Sequence, residues 1–234
     1  MDNKNNITML ESDTTTGKTS RRGFLKGCAY GAGGLMVLCS GLGVAATRQP
    51  HIDFYESSEN ITGVVGKKVL VAYGSICGST GEIAQAIAEE IGAKGYHVDV
   101  FPVDRVKSLD GYQSVIIGSA ARMGKLISKT QKFAEKFSNK LAQIPAAYFV
   151  ACLTMKEDTE ENRATVSTYL EPLRQIKLPI GEGFFGGKVD QSKMEYGFQI
   201  AFSSDKEGSM ADGDYRNWES IRAWGQEIGQ KLAG

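Results

Sequence analysis

Apolar and polar residues alternate in blocks along the last two thirds of the chain, and the period within each block names its element. Lys68–Tyr73 is a short apolar run of the kind a strand makes in a sheet interior. A helix period follows over 80–94, with Ile83, Ile87 and Ile91 four apart and Ala84 and Ala88 beside them, until Gly95 stops it. His97–Val103 alternates like a half-exposed edge strand. Asp110-Gly111-Tyr112 then turns the chain into a third strand, Ser114–Ser119. Ile127–Gln143 is a second helix, with Phe133, Phe137 and Leu141 on one side and lysines on the other, ended by Pro145. Ala146–Leu153 is a fourth strand, Glu160–Gln175 a third helix and Glu182–Val189 a fifth strand. A last helix over 218–232 packs through Trp218, Ile221, Ile228 and Leu232. Strands alternating with helices predict an α/β domain over 67–234, with a doubly wound, five-stranded parallel sheet and helices on both faces.

One segment departs from that rhythm. Within 191–217, Met194, Tyr196, Phe198, Ile200 and Phe202 fall on every second position. Two readings stay open for it: an extra hairpin at the sheet edge, or a lid that receives an apolar substrate.

The candidate chemistry sits between the first strand and first helix. A strand, a loop rich in Gly, Ser and Thr (74–80) and a helix start occur in succession. Helix starts present unpaired N–H groups and the positive end of the dipole, so this turn is a natural anion site. Ser79 and Glu82 have the spacing of a capping box. No lysine lies between Gly74 and Glu90, which disfavours a triphosphate loop. Gly74, Gly78 and Gly81 lack the dinucleotide spacing. A monophosphate remains, held by Ser75, Ser79, Thr80 and the backbone of Ile76, Cys77, Gly78, Ser79 and Thr80.

Composition narrows the partners. The 234 residues are 41% hydrophobic and 23% charged, with 27 basic against 27 acidic side chains. From Lys67 onward the balance is 21 against 21, which argues against nucleic acid as a partner, since that would favour a basic face. Four cysteines make no disulfide scaffold at this length. Cys77 and Cys152 end strands one and four, and the only histidines, His51 and His97, lie elsewhere, so packing is expected of both thiols and no metal site is expected.

Ahead of the domain, Ser20-Arg21-Arg22-Gly23-Phe24-Leu25-Lys26 precedes an uncharged run rich in Gly, Ala and Leu. It resembles a twin-arginine export signal. Small residues at Gly43, Ala45 and Ala46 offer a cleavage site. Residues 1–46 therefore read as a signal peptide or, if retained, a membrane anchor, and 47–66 as a linker. The expected partner is the twin-arginine machinery, the expected location is periplasmic or extracytoplasmic, and association with the membrane surface stays open.

Ser75-Ile76-Cys77-Gly78-Ser79-Thr80 resembles the flavodoxin phosphate loop (T/S-x-T-G-x-T), with cysteine in the middle threonine's place. Tyr112–Gly124, Pro145–Met155 and Asp214–Trp224 resemble the menaquinone-dependent protoporphyrinogen oxidase branch of that family. The resemblance implies FMN as cofactor, strand order 2-1-3-4-5 and a ligand at the switch point between strands one and three. It further implies that Ser119, Ala120, Ala121, Arg122, Met123 and Gly124, with Leu153, Thr154 and Met155, flank the isoalloxazine. Arg122 is either a solvated loop charge or a cation beside the flavin N1/C2=O edge that favours two-electron reduction. Two-electron transfer from an organic donor to a quinone follows, the branch's donor being protoporphyrinogen IX. The alternative is an electron carrier between redox proteins. Carriers of this family have clamping aromatics and acidic surroundings, whereas here neither loop holds an aromatic before Tyr169 and the domain is neutral.

Overall fold

Side chains of a strand alternate between its two faces, and that alternation divides this core in two. The computed structural model describes residues 51–58, 67–194 and 212–233. In chain order come β1 (Lys68–Gly74), α1 (Ser79–Gly92), β2 (His97–Pro102), β3 (Ser114–Arg122), β4 (Lys125–Leu126), α2 (Ser128–Lys136) and α3 (Ser138–Leu141). They are followed by β5 (Ala146–Cys152), α4 (Glu160–Ser167), α5 (Glu171–Arg174), β6 (Glu182–Gly186), β7 (Lys188–Val189), β8 (Gly213–Asp214) and α6 (Trp218–Ala233). The main sheet runs β2-β1-β3-β5-β6, all parallel, with β4 turned back on β3. Those five parallel strands have the expected order 2-1-3-4-5.

Val69, Val71 and Tyr73 of β1 face α1 and α6, where Ile83, Ile87, Ile91, Trp224 and Ile228 close the first core. Leu70 and Ala72 face the other helices, with Phe133, Leu141, Val166, Leu170 and Leu173. Close approach of α1 and α6 needs Gly225, where a Cβ would lie 3.2 Å from the Cα of Ile87. Trp218, expected in this core, is instead an exposed ring stacked on Arg216; Trp224 takes the buried place, edge-on to Phe149 and Phe185.

Four expected elements change in detail. The second helix breaks at Phe137, whose φ of −105° leaves helical geometry; Phe133 and Leu141 on either side both reach the second core. The third breaks into α4, a 3-10 turn (Thr168–Leu170) and α5, because Pro172 has no N–H to give the carbonyl four residues back. The third strand runs to Arg122, so most of the expected loop 119–124 is strand. The fifth strand leaves the sheet at Gly186 and continues as β7, paired antiparallel with β8. A Cβ at Gly186 would meet the Tyr215 carbonyl oxygen at 2.0 Å, so this ribbon packs where a side chain would stand. Of 191–217, residues 195–211 lie outside the described residues, as do the expected signal and most of the linker.

The described part of that linker, 51–58, is a strap along β2. Ser57 and Val100 exchange both backbone hydrogen bonds, covering an edge that would otherwise be open. Ser58 Oγ donates to the Asp99 carboxylate at 3.0 Å and Tyr73 Oη donates to the Tyr55 carbonyl at 2.8 Å. Asp99 is buried and also receives Lys68 Nζ at 2.8 Å and the Tyr112 hydroxyl. Burial alone would raise its carboxyl, but the bonds from Lys68, Tyr112 and Ser58 hold it below the ordinary value.

A carboxyl depressed in the folded state stabilises fully above its unfolded value, about pH 3.9, and that contribution disappears as pH falls through the folded value. Asp99→Asn should therefore lower stability at pH 7 and flatten the acid limb of the Tm–pH profile below about pH 4. An acid limb identical to that of the parent chain would remove Asp99 as the anchor.

Candidate functional site

The start of α1 is shaped by a glycine. Its N-cap is Gly78, at φ 91°, and among the described residues no side chain caps it. The Ser79–Glu82 capping box does not form: Ser79 is already the first helical residue, and Glu82 points to Arg216. Ser75 Oγ accepts the Gly78 N–H at 2.9 Å, closing the loop on itself. That bond uses the Ser75 oxygen as acceptor and leaves its O–H as a donor. Beneath the turn, Gly81 lies on Tyr73, whose Oη would stand 2.7 Å from any Cβ there. Outside it, the strap's Ile52 lies 3.4 Å from the Cβ position of Gly78.

Arg216 secures the same turn from the far end of the chain. Its guanidinium is buried, donates to Glu82 at 2.8 Å and to the Ser79 carbonyl at 3.4 Å, and grips Asp214 through two nitrogens. Its face lies over Trp218, 4.4 Å from the ring centroid. Burial would lower its affinity for a proton, but the bonds to Asp214 and Glu82 raise it, so the group is a fixed cation. Since Asp214 belongs to β8, this cluster ties the β7–β8 ribbon to the first turn of α1.

These elements enclose a cleft of about 430 Å³ at the carboxyl ends of the strands, between β1 and β3. Of the expected residues, Ser75, Ile76, Cys77, Ser79, Thr80, Ala120, Ala121, Arg122, Met123, Gly124, Leu153 and Thr154 line it. Gly78, Ser119 and Met155 do not. Gly78 shapes the turn through its backbone. Ser119 is buried below the cleft, donating to Ala120 O and lying 3.0 Å from Thr130 Oγ1. Met155 turns inward on a 3-10 turn (Leu153–Lys156) and joins the second core. The tip of the β3–β4 hairpin is Met123-Gly124, at φ 51° and 72°, as a tight turn between twisted strands requires. Met123 is a non-glycine residue at positive φ and 84% exposed, and strain of that kind collects at functional sites.

Sequence reasoning missed Tyr169, Gly187, Lys188 and Val189 in this lining. Tyr169 sits on the 3-10 turn between α4 and α5, and its ring is 3.8 Å from the Cβ position of Gly124. An aromatic therefore does border the cleft. No local pattern carries it there, because the Pro172 break sets the turn. Lys188 and Val189 arrive only because the fifth strand leaves the sheet. The segment after β7 also reaches the site: Met194 lines the cleft and Cys77 Sγ lies 3.6 Å from the Lys193 carbonyl oxygen. Cys152 is buried, which pushes its thiol up and makes it a poor nucleophile.

Comparison with known proteins bears on this geometry. A flavodoxin domain model matches residues 70–202, more than half of the chain. The chain belongs to the flavodoxin family. This member is similar to protoporphyrinogen IX dehydrogenase [quinone] of Escherichia coli strain K12, 29% identical over 102 residues, covering 43% of this chain and 56% of that protein. The same figures hold for the protein of that name in strain O6:H1, so the chain spans about half the length of the curated relatives it matches. Among solved structures, a flavodoxin from the domain Archaea has 18% identity and a TM-score of 0.45, covering 71% of this chain and 99% of that one. A flavodoxin of Streptococcus pneumoniae TIGR4 has 17% identity and a TM-score of 0.44, covering 70% and 99%.

The residues of this flavodoxin-family site fit FMN. One end of the cleft offers the hydroxyls of Ser75, Ser79 and Thr80 and the uncapped helix start, a donor set for one phosphate. The other end is apolar, with Ala120, Ala121, Leu153, Val189 and Tyr169. Arg216→Ala should destabilise the fold by about 2–3 kcal/mol, as loss of charged hydrogen bonds from a buried group does, and weaken FMN binding. Urea unfolding and FMN titration measure the two; unchanged affinity would confine Arg216 to stability.

Proposed function

We propose that this chain binds FMN in the cleft and works, outside the cytoplasm, as an oxidoreductase that moves two electrons from an organic donor to a quinone. The observation that carries the reading is the joining of a monophosphate-sized donor set to an apolar slot at the switch point. FMN, when bound, supplies a ring that accepts electrons singly or in pairs. The chain's own residues do the rest. Ser75, Ser79 and Thr80 hold the phosphate against the start of α1, while the small side chains of Ala120 and Ala121 leave room for the ring. Arg122, at the base of the hairpin tip, places a permanent positive charge at the rim, where it favours uptake of a full pair of electrons. The dehydrogenase relatives, whose name includes a quinone, support the acceptor class and make a porphyrinogen one candidate donor.

A second reading is a single-electron carrier between protein partners. Tyr169 favours it, since an aromatic against the ring is what a carrier uses. A redox titration separates the two.

Reconstitution with FMN should give flavin absorption and a single two-electron wave. Arg122→Ala should lower the potential by about 30 mV, the equivalent of ~1.4 kcal/mol for a two-electron couple. Failure to retain FMN would sink the cofactor reading, whereas one-electron waves would turn the assignment to the carrier.

The resemblance of 20–26 to a twin-arginine signal supports the proposed location. With Arg21 and Arg22 both replaced by Lys, the protein should remain inside the cell, as fractionation and immunoblotting would record. Normal export of that variant would overturn the address.

A further inference from the structure

A second groove adjoins the flavin cleft, and nothing in the proposed electron transfer uses it. It encloses about 670 Å³, larger than the cleft, and shares Ser75, Ile76, Arg122 and Met123 with it. The shared residues make the strained hairpin tip a wall common to both. The far side of the groove is formed by Phe54 of the strap and by Lys129, whose Nζ stands 4.8 Å from the Phe54 ring centroid. Leu126 and Ile127 supply further apolar surface.

Charge gives the groove its direction. Among the described residues its lining holds Lys125 and Lys129, both cationic, beside the Arg122 it shares with the cleft, and no carboxylate. The domain as a whole is neutral, so this is a local excess set around apolar walls. Lys129 is half-buried on the ring, and burial lowers its hold on a proton; Asp104, the carboxylate acting on it, lies outside the lining. A cation kept partly dry over an aromatic face gains from an anionic partner more than a solvated surface lysine does.

We propose that this groove binds a small aromatic anion, a quinone ring bearing a carboxylate or sulfonate, as the electron acceptor of the neighbouring cleft. It takes up the two electrons given by the organic donor together with two protons and leaves as the hydroquinone. The ring lies on Phe54, Leu126 and Ile127, its acidic group faces Lys125 and Lys129, and its reacting edge reaches the shared wall at Ile76 and Met123. Its role as substrate rests on the FMN reading; its chemistry of binding does not.

The test is calorimetric titration of the FMN-loaded full chain with 1,4-naphthoquinone-2-sulfonate and, in parallel, with neutral 2-methyl-1,4-naphthoquinone. FMN content is read first from absorption, so failure of the cofactor reading is registered separately. Replacing both Lys125 and Lys129 by Gln should weaken the sulfonate roughly tenfold, as loss of two partly exposed charge pairs does. The same change should alter the neutral quinone less than about twofold. Phe54→Ala should weaken both. Equal loss for both ligands in the lysine variant, or no loss for either, overturns the proposal. Displacement of FMN by the sulfonate would place the ligand in the cleft and overturn it as well.

Discussion

The rest of the site depends on a helix start that is left uncapped. An N-cap side chain would stabilise α1 by about 1 kcal/mol, and Ser79 and Glu82 stand at the spacing that could provide one. The fold forgoes it. Gly78 turns the chain at positive φ, Ser75 closes the loop instead, and Glu82 is drawn away by Arg216. Packing covers the loss: Ile83, Ile87 and Ile91 are fully buried, each contributing about 2 kcal/mol. Within that turn the Gly81 N–H already donates to the Gly78 carbonyl at 2.8 Å, and the anchoring lies on the side of the helix that faces the protein.

That arrangement explains which features of the chain were legible. Strand and helix periods were visible because each element buries one face, and the parity of Val69, Leu70, Val71 and Ala72 carries directly into the two cores. The loop at 75–80 was equally legible as a cleft-lining turn, since its composition is local to six residues. The strand order followed from the family resemblance of that loop and its companion blocks, and it agrees with the sheet.

What remained hidden was set by contacts between distant segments. Ser79–Glu82 reads as a capping box until Arg216, more than a hundred residues later, takes the carboxylate. Trp218 reads as a core position by helical spacing, but the guanidinium of Arg216 holds it at the surface while Trp224 fills the space beside Phe149. Glu182–Val189 reads as one strand because nothing in it signals that the Tyr215 backbone occupies the place of a side chain at Gly186. Tyr169 enters the cleft through a helix break whose local sign, Pro172, was present and whose consequence was not. The missing capping box and the broken fifth strand are each decided by a tertiary partner between two locally acceptable conformations.

The strap joins the start of the domain to the loop at 75–80. Residues 51–58 precede the first strand and have the composition of a connector, yet Ile52 lies against Gly78, Tyr55 accepts the Tyr73 hydroxyl beneath Gly81, and Phe54 forms a wall of the second groove. Removing them would uncover the outer side of the phosphate loop and the edge of β2 at once. If the N-terminal segment is removed as an export signal would be, the place of the cut matters to the strap. A cut among Gly43, Ala45 and Ala46 leaves the strap whole. A cut past Phe54 would release a domain with the same sheet and a loosened site. The residues that read most like a tether thus pack against the turn that starts α1, with Ile52 3.4 Å from the Cβ position of Gly78.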